Sequence, residues 1–200
     1  MIRAIVFDCF GVVLTDALQQ IRAELAQRDP AAATEVKDIV AANNRGMMSP
    51  SESNARIAAI LGVPVETFRA QVHAGEVRNQ PLLDYILELK EQYKTAMLSN
   101  IAGSSLARRF PDNELQTYFD VVAASADIGY AKPDAEAYQH VCNALGVQPE
   151  ECVFTDDKAI FCEAAQAVGM KAIVYTDFTQ FRYELEQLIS KPQRGVNKSH

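Results

Sequence analysis

The chain reads as an α/β fold: a doubly wound, Rossmann-like parallel sheet with a helical cap inserted into it. Three observations lead there. Five short apolar runs, at residues 4–7, 95–98, 121–124, 152–155 and 172–175, are continuous rather than alternating, as strands covered on both faces are. Helical stripes alternate with these runs from residue 94 onward. The later runs start roughly 20 to 30 residues apart, an ordinary crossover length, whereas about 85 residues separate the first run from the second.

The first run, AIVF, stops at Asp8. Residues 16–80 then hold only helix-like segments, at 17–27, 31–44, 50–61 and 65–74, and this is the expected cap. The core is expected from residues 1–15 and 81–190. The second run, TAML, stops at Ser99 and Asn100, and the third is VVAA. Pro133 opens a helix with Ala135, Tyr138, Cys142 and Leu145 on one stripe, and Gly146 closes it. The fourth run, CVFT, stops at Asp156 and Asp157. A stripe of Ile160, Ala164 and Ala167–Val168 follows, ending at Gly169. After the fifth run, residues 178–189 turn Phe181, Leu185 and Leu188 to one side. Residues 191–200 are expected to be a flexible polar tail.

At 200 residues the chain corresponds to about 1.3 domains. Its 48% hydrophobic and 22% charged residues are ordinary for a globular protein, which sets aside disordered and fibrous classes. The net charge is −7, and the last ten residues hold three cations and no acid, so the body is more acidic still. Without a basic stripe such a surface repels a phosphate backbone, and no nucleic acid partner is expected. No apolar run is long enough to span a bilayer, and no signal peptide is recognisable, so a cytoplasmic protein without membrane contact is expected, as monomer or homodimer. Cys9, Cys142, Cys152 and Cys162 form no CxxC pair, and three of them sit among apolar neighbours, as core thiols do.

Open parallel sheets bind ligands at the carboxyl ends of their strands. The polar residues there are Asp8, the Ser99–Asn100 pair and the Asp156–Asp157 pair, while Lys132 precedes the helix at Pro133. Carboxylates suit a divalent cation that keeps positions for water and substrate, and a hydroxyl, an amide and a lysine suit a phosphate. A carboxylate can also act as nucleophile toward phosphorus.

With these residues in this order the chain resembles the haloacid dehalogenase (HAD) superfamily of hydrolases. The resemblance rests on FDCFGVV at 7–13, LSN at 98–100, AKP at 131–133 and FTDD at 154–157, and covers about residues 1–190. The insertion resembles the C1-type cap of subfamily IA. NRGMMSPSE, SADIGYAKPDAEAYQ and VFTDDKA are most similar to the small-cap branch with sugar-phosphate phosphatases. The resemblance implies a Mg²⁺-dependent phosphatase of a small phosphate monoester, acting through an aspartyl-phosphate. It implies Asp8 as nucleophile, Ser99 and Asn100 as holders of the phosphate, and Lys132 as neutraliser of its charge. Mg²⁺ would be held by Asp8, Asp156, Asp157 and the backbone carbonyl of Phe10. Cys9 is expected to turn its backbone N–H toward the phosphate.

The chain also departs from that pattern. The superfamily places a second carboxylate two residues after the nucleophile, as proton donor and then base; here Phe10 stands there and transfers no proton. General acid–base help is worth about 10² to 10⁴ in rate. A phosphate-binding or interaction protein with impaired catalysis is therefore the alternative. An aromatic residue at this place also occurs in 2-haloacid dehalogenases, but their fourth motif resembles Ser-Ser-Asn, against Thr155-Asp156-Asp157 here. Beyond the Asp pair, Ile160 and Phe161 replace polar residues. In the cap, Arg45 either reaches an anionic substrate or sits in an interhelix turn. Arg108 and Arg109 are expected on a solvated helix face, and His73 and His140 are given no role.

Overall fold

The computed structural model describes residues 1–190; the expected tail at 191–200 lies outside the described residues. Five parallel strands form one sheet: β1 (Ala4–Phe7), β2 (Lys94–Ser99), β3 (Val121–Ala124), β4 (Cys152–Asp156) and β5 (Lys171–Val174). Their spatial order is β3-β2-β1-β4-β5, so the expected doubly wound sheet is present and β1 lies at its centre. The strands reach further than the apolar runs. Ser99 pairs in register with Ala124 and Asp156 with Val174, so both polar residues belong to strands rather than to the loops that follow.

Alternate residues of β1 enter two apolar clusters, which accounts for its uninterrupted apolar sequence. Ile5 and Phe7 face the helices α5 (Gln80–Lys90) and α11 (Phe178–Ile189). Ala4 and Val6 face α9 (Ala135–Leu145) and α10 (Ala159–Ala167). On that second face Ala4, Ala96 and Ala123 are small, and Tyr138 and Phe154 fill the layer edge to face, 5.3 Å between ring centroids. Helix α5 has no counterpart in the sequence reading, although Leu82, Leu83, Ile86 and Leu89 recur at helical spacing and are buried. Helix α6 (Gly103–Arg109) carries Arg108 and Arg109, as expected of a helix there, while the short helices α7 (Glu114–Tyr118) and α8 (Ser125–Ile128) have no counterpart in the sequence reading.

Between β1 and β2 the chain builds α1 (Ala17–Arg28), α2 (Pro30–Asn44), α3 (Pro50–Leu61) and α4 (Val65–Gly75). They share a separate apolar cluster centred on Val36, Ile39, Ile57 and Phe68. Asp16, Asp29 and Ser49 cap the first three by accepting the N–H three residues on. The two linkers run side by side: the Thr15 N–H donates to the Val77 carbonyl at 3.0 Å and the Val77 N–H to the Thr15 hydroxyl at 2.7 Å. Asn79 ties the second linker to the core, donating to the Val12 carbonyl and to Tyr175. No helix among the described residues is long and apolar enough to cross a membrane.

Phe7 is fully buried at the centre of the sheet, 6.0 Å from the Phe119 ring and 5.7 Å from Phe181. Phe7→Ala is expected to cost about 3–5 kcal/mol, the usual range for emptying such a site. Urea unfolding is expected to show a lower midpoint with an unchanged slope.

Candidate functional site

The sheet edge gathers its polar groups because β1, β2 and β4 are neighbours that all point the same way. Asp8 follows β1 directly, and its backbone N–H donates to the Thr155 carbonyl at 2.9 Å, fixing it beside the end of β4. The order of the strands reverses about β1, so this edge is the crevice in which such sheets bind ligands.

Lys132 is the centre of the cluster. Its ammonium lies 2.7 Å from Asp8 Oδ1 and 2.6 Å from Asp156 Oδ2, with all three side chains buried. The rings of Phe154 and Phe161 flank it, their centroids 5.3 Å and 5.2 Å from Nζ. Asn100 sets its backbone: the Lys132 N–H donates to Asn100 Oδ1, and Asn100 Nδ2 donates to the Lys132 carbonyl, both at 2.8 Å. Asn100 also lines the cavity. Both polar atoms of its side chain are engaged with the Lys132 main chain, so it positions the lysine. Ser99 is different: its hydroxyl is buried and has no partner.

Asp8, Asp156 and Asp157 each bring a carboxylate oxygen within 4.8 Å of the other two. Asp156 Oδ1 accepts the Lys158 N–H at 2.9 Å. Asp157 Oδ1 is buried without a partner among the described residues, an arrangement that costs free energy unless something is bound there. Gly11 makes room for this carboxylate: its φ is +87°, and a Cβ on it would fall 2.5 to 2.9 Å from Asp157 carboxylate atoms. Burial pushes Asp8 up to about 6, against the pull of Lys132 and with further help from the Asp156 charge. Burial also raises Asp156 and Asp157. Three carboxylates against one lysine leave two negative charges, which one divalent cation balances. The donor set, hard oxygens with one of them orphaned, fits Mg²⁺.

Cys9 sits beside Asp8 with its thiol fully buried, and burial pushes that thiol well above the usual range, so it is inert. Phe10 lines the cavity above the cluster, with the Arg109 guanidinium 5.2 Å from its ring centroid.

Of the two placements expected for Arg45 the structure has the interhelix turn, while Arg109 is placed differently from the sequence reading. Arg45 does not reach the cavity: its guanidinium pairs with Asp134 through bonds of 2.8 and 3.1 Å, tying the end of α2 to the start of α9. Arg109 is not on a solvated face. It donates to both carboxylate oxygens of Glu76, at 2.8 and 2.6 Å, and lines the cavity together with Glu76, Arg108 and His73. Neither arginine's partner was legible, since one pair spans 89 positions and the other 33. Covering the cluster is a cavity of about 520 Å³, roofed by α1–α4 and floored by the sheet edge.

A parallel sheet whose edge holds a buried lysine within a carboxylate cluster is the architecture of a class of α/β hydrolases. The chain matches the haloacid dehalogenase-like hydrolases over residues 2–169 and belongs to that family. It is 32% identical over 151 residues to the sesquiterpene phosphatase astK of Aspergillus oryzae, covering 72% of this chain and 76% of that one. To a phosphorylated carbohydrates phosphatase of Thermotoga maritima it is 28% identical over 118 residues, 54% of this chain and 55% of the other. A HAD family enzyme from Bacteroides thetaiotaomicron, solved in complex with magnesium and inorganic phosphate, has the same fold, with a TM-score of 0.71 at 23% identity over 90% of this chain and 99% of that one.

Removing the lysine tests the electrostatics of the cluster. Asp8 holds its proton more tightly in the folded chain than in the unfolded one, so the stability this contributes is lost as the pH rises through about 6. Lys132→Met takes away the only buried cation facing Asp8 and Asp156 among the described residues. We expect a loss of about 3–5 kcal/mol at pH 7.5, shrinking toward pH 5 as the carboxylates take up protons. Urea unfolding of both proteins at the two pH values measures it.

Proposed function

We propose that the protein is a Mg²⁺-dependent phosphatase acting on a small phosphate monoester, with Asp8 as nucleophile and the inserted helices as the cap over the site. One observation carries this reading: Lys132 lies between Asp8 and Asp156 while the Asp157 carboxylate beside them has an orphaned oxygen. The phosphatase names of two relatives and the magnesium and phosphate in a structural neighbour support it.

Asp8, Asp156 and Asp157 would hold Mg²⁺ together with the Phe10 carbonyl; when bound, the ion supplies charge neutralisation for the transferring group. Lys132 holds one oxygen of Asp8, so the other faces the cavity and the phosphorus of a bound ester. The same ammonium offsets the charge of an anionic nucleophile meeting an anionic phosphoryl group. The Ser99 hydroxyl, buried and unpaired, donates to a phosphate oxygen. Asn100 keeps the lysine in place during transfer. Asp8 forms a bond to phosphorus as the ester P–O bond breaks, and water then cleaves the aspartyl-phosphate to release inorganic phosphate. Such chemistry asks chiefly for positioning and charge neutralisation, and this cluster provides both.

With Mg²⁺ the wild type is expected to release phosphate from monoesters, and chelator or Asp8→Asn to abolish the release. Magnesium is also expected to raise Tm more at pH 7.5 than at pH 5, because protons compete for the same carboxylates. If no ester yields phosphate while phosphate or vanadate still raises Tm, the protein binds phosphate without turning it over. Halide release from 2-haloacids in chelator points to a dehalogenase.

A further inference from the structure

The cavity is far larger than a phosphate group requires, so its walls describe the rest of the substrate. Beside Asp8 the floor is formed by the rings of Phe10 and Phe161. The opposite wall takes Leu18, Val40, Ile57, Phe68 and Val72 from the four inserted helices. Ile57 and Phe68 are core residues of that helical cluster and the other three pack on it, so the apolar wall is built into the fold. Charged groups that line the cavity are paired: Arg109 with Glu76, Arg69 with Glu66 and Lys158 with Asp16. Arg108 donates to the Ser105 hydroxyl. The lining also carries polar side chains, among them Asn44, Ser53, Asn54 and His73, so the apolar wall forms one side of the space open to the leaving group. Asn43 is a lining residue, and its buried Oδ1 has no partner among the described residues.

A second constraint comes from the leaving oxygen. As the P–O bond breaks, charge accumulates on that oxygen unless a proton arrives. Two residues after the nucleophile the chain places Phe10, and its ring lies against the Arg109 guanidinium, which both oxygens of Glu76 already hold. A leaving group that carries negative charge by itself does not need the missing donor.

We propose that the substrates are phosphate monoesters of acidic, apolar hydroxyls, aryl phosphates above all, and that sugar phosphates are poor substrates. This rests on the phosphatase reading above and narrows it. Asp8 bonds to phosphorus as the bond to the phenolic oxygen breaks, and the electron pair stays on the phenolate. The phenolate takes a proton from water once it has left. A second water attacks phosphorus, frees inorganic phosphate and restores the Asp8 carboxylate, its proton passing to solvent. Asn43 selects for a hydrogen-bond donor on the ring.

The test compares kcat/KM of the wild type with Mg²⁺ on 4-nitrophenyl, phenyl and 4-methoxyphenyl phosphate, glucose 6-phosphate and glycerol 3-phosphate. Aryl esters are expected to be better by about 10²-fold, the lower end of what a general acid is worth, and faster as the phenol becomes more acidic. Phe10→Asp is expected to flatten that dependence and narrow the gap to the sugar ester. In Asp8→Asn, phenyl phosphate is expected to raise Tm at lower concentration than glucose 6-phosphate. Sugar esters that match aryl esters in kcat/KM, or in binding to Asp8→Asn, overturn the proposal. If nothing is turned over and phenyl phosphate still binds more tightly than glucose 6-phosphate, the phosphatase reading falls while the ligand class stands.

Discussion

Lys132 between two buried carboxylates is the interaction on which the sheet edge depends. Taking an ammonium and its partners out of water is expensive, and their attraction repays it only when the geometry is tight. Here the geometry comes from three strands at once. β1 ends at Asp8, β4 ends at Asp156, and the residue after β2 grips the lysine's main chain through the Asn100 amide. Two aromatic rings close the remaining sides. A leucine-filled sheet edge would be more stable. The charged one is a standing strain on the fold, of the kind that gathers where proteins work on ligands.

Above this cluster the cavity changes character over one residue. Below Phe10 lie carboxylates, a lysine and a serine hydroxyl; above it the inserted helices add an apolar wall alongside polar residues such as Asn54 and His73. Phe10 itself is held between the apolar core and the Arg109 guanidinium. Glu76 fixes that arginine from the linker returning from the insertion, so the hinge region and the ring beside the nucleophile form one packed unit. The substitution at position 10 is thus built into its surroundings.

Much of this was legible in the sequence, for a physical reason. A parallel strand buried on both faces is an apolar run with a sharp polar end, and the polar end is where such a sheet does its chemistry. That logic located Asp8, Lys132, Asp156 and Asp157 before any coordinates. It failed where a side chain's partner is far away along the chain. Asn100 reads like a ligand-binding amide, yet it also grips the Lys132 main chain; Arg45 reads as a substrate arginine or a turn residue, and its partner Asp134 is what the sequence does not show. Arg109 follows another arginine on a short helix, which suggests solvent, and only folding brings Glu76 to it. Helix α5 lies between the insertion and β2, where its apolar residues Leu82, Leu83, Ile86 and Leu89 are interleaved with Asp84, Glu88 and Lys90.

The central strand also sets a timetable. β1 is made first, but one of its edges is paired by β2 and the other only by β4, whose last residue is Asp156. During synthesis about three quarters of the 200-residue chain must leave the ribosome before that second edge is closed. Until then AIVF carries an open row of backbone donors and acceptors, the kind of surface that recruits other strands. The strand that ends at Asp8 is therefore a part of the newborn chain in need of shelter, and Asp156 and Asp157 arrive together with the strand that seals it.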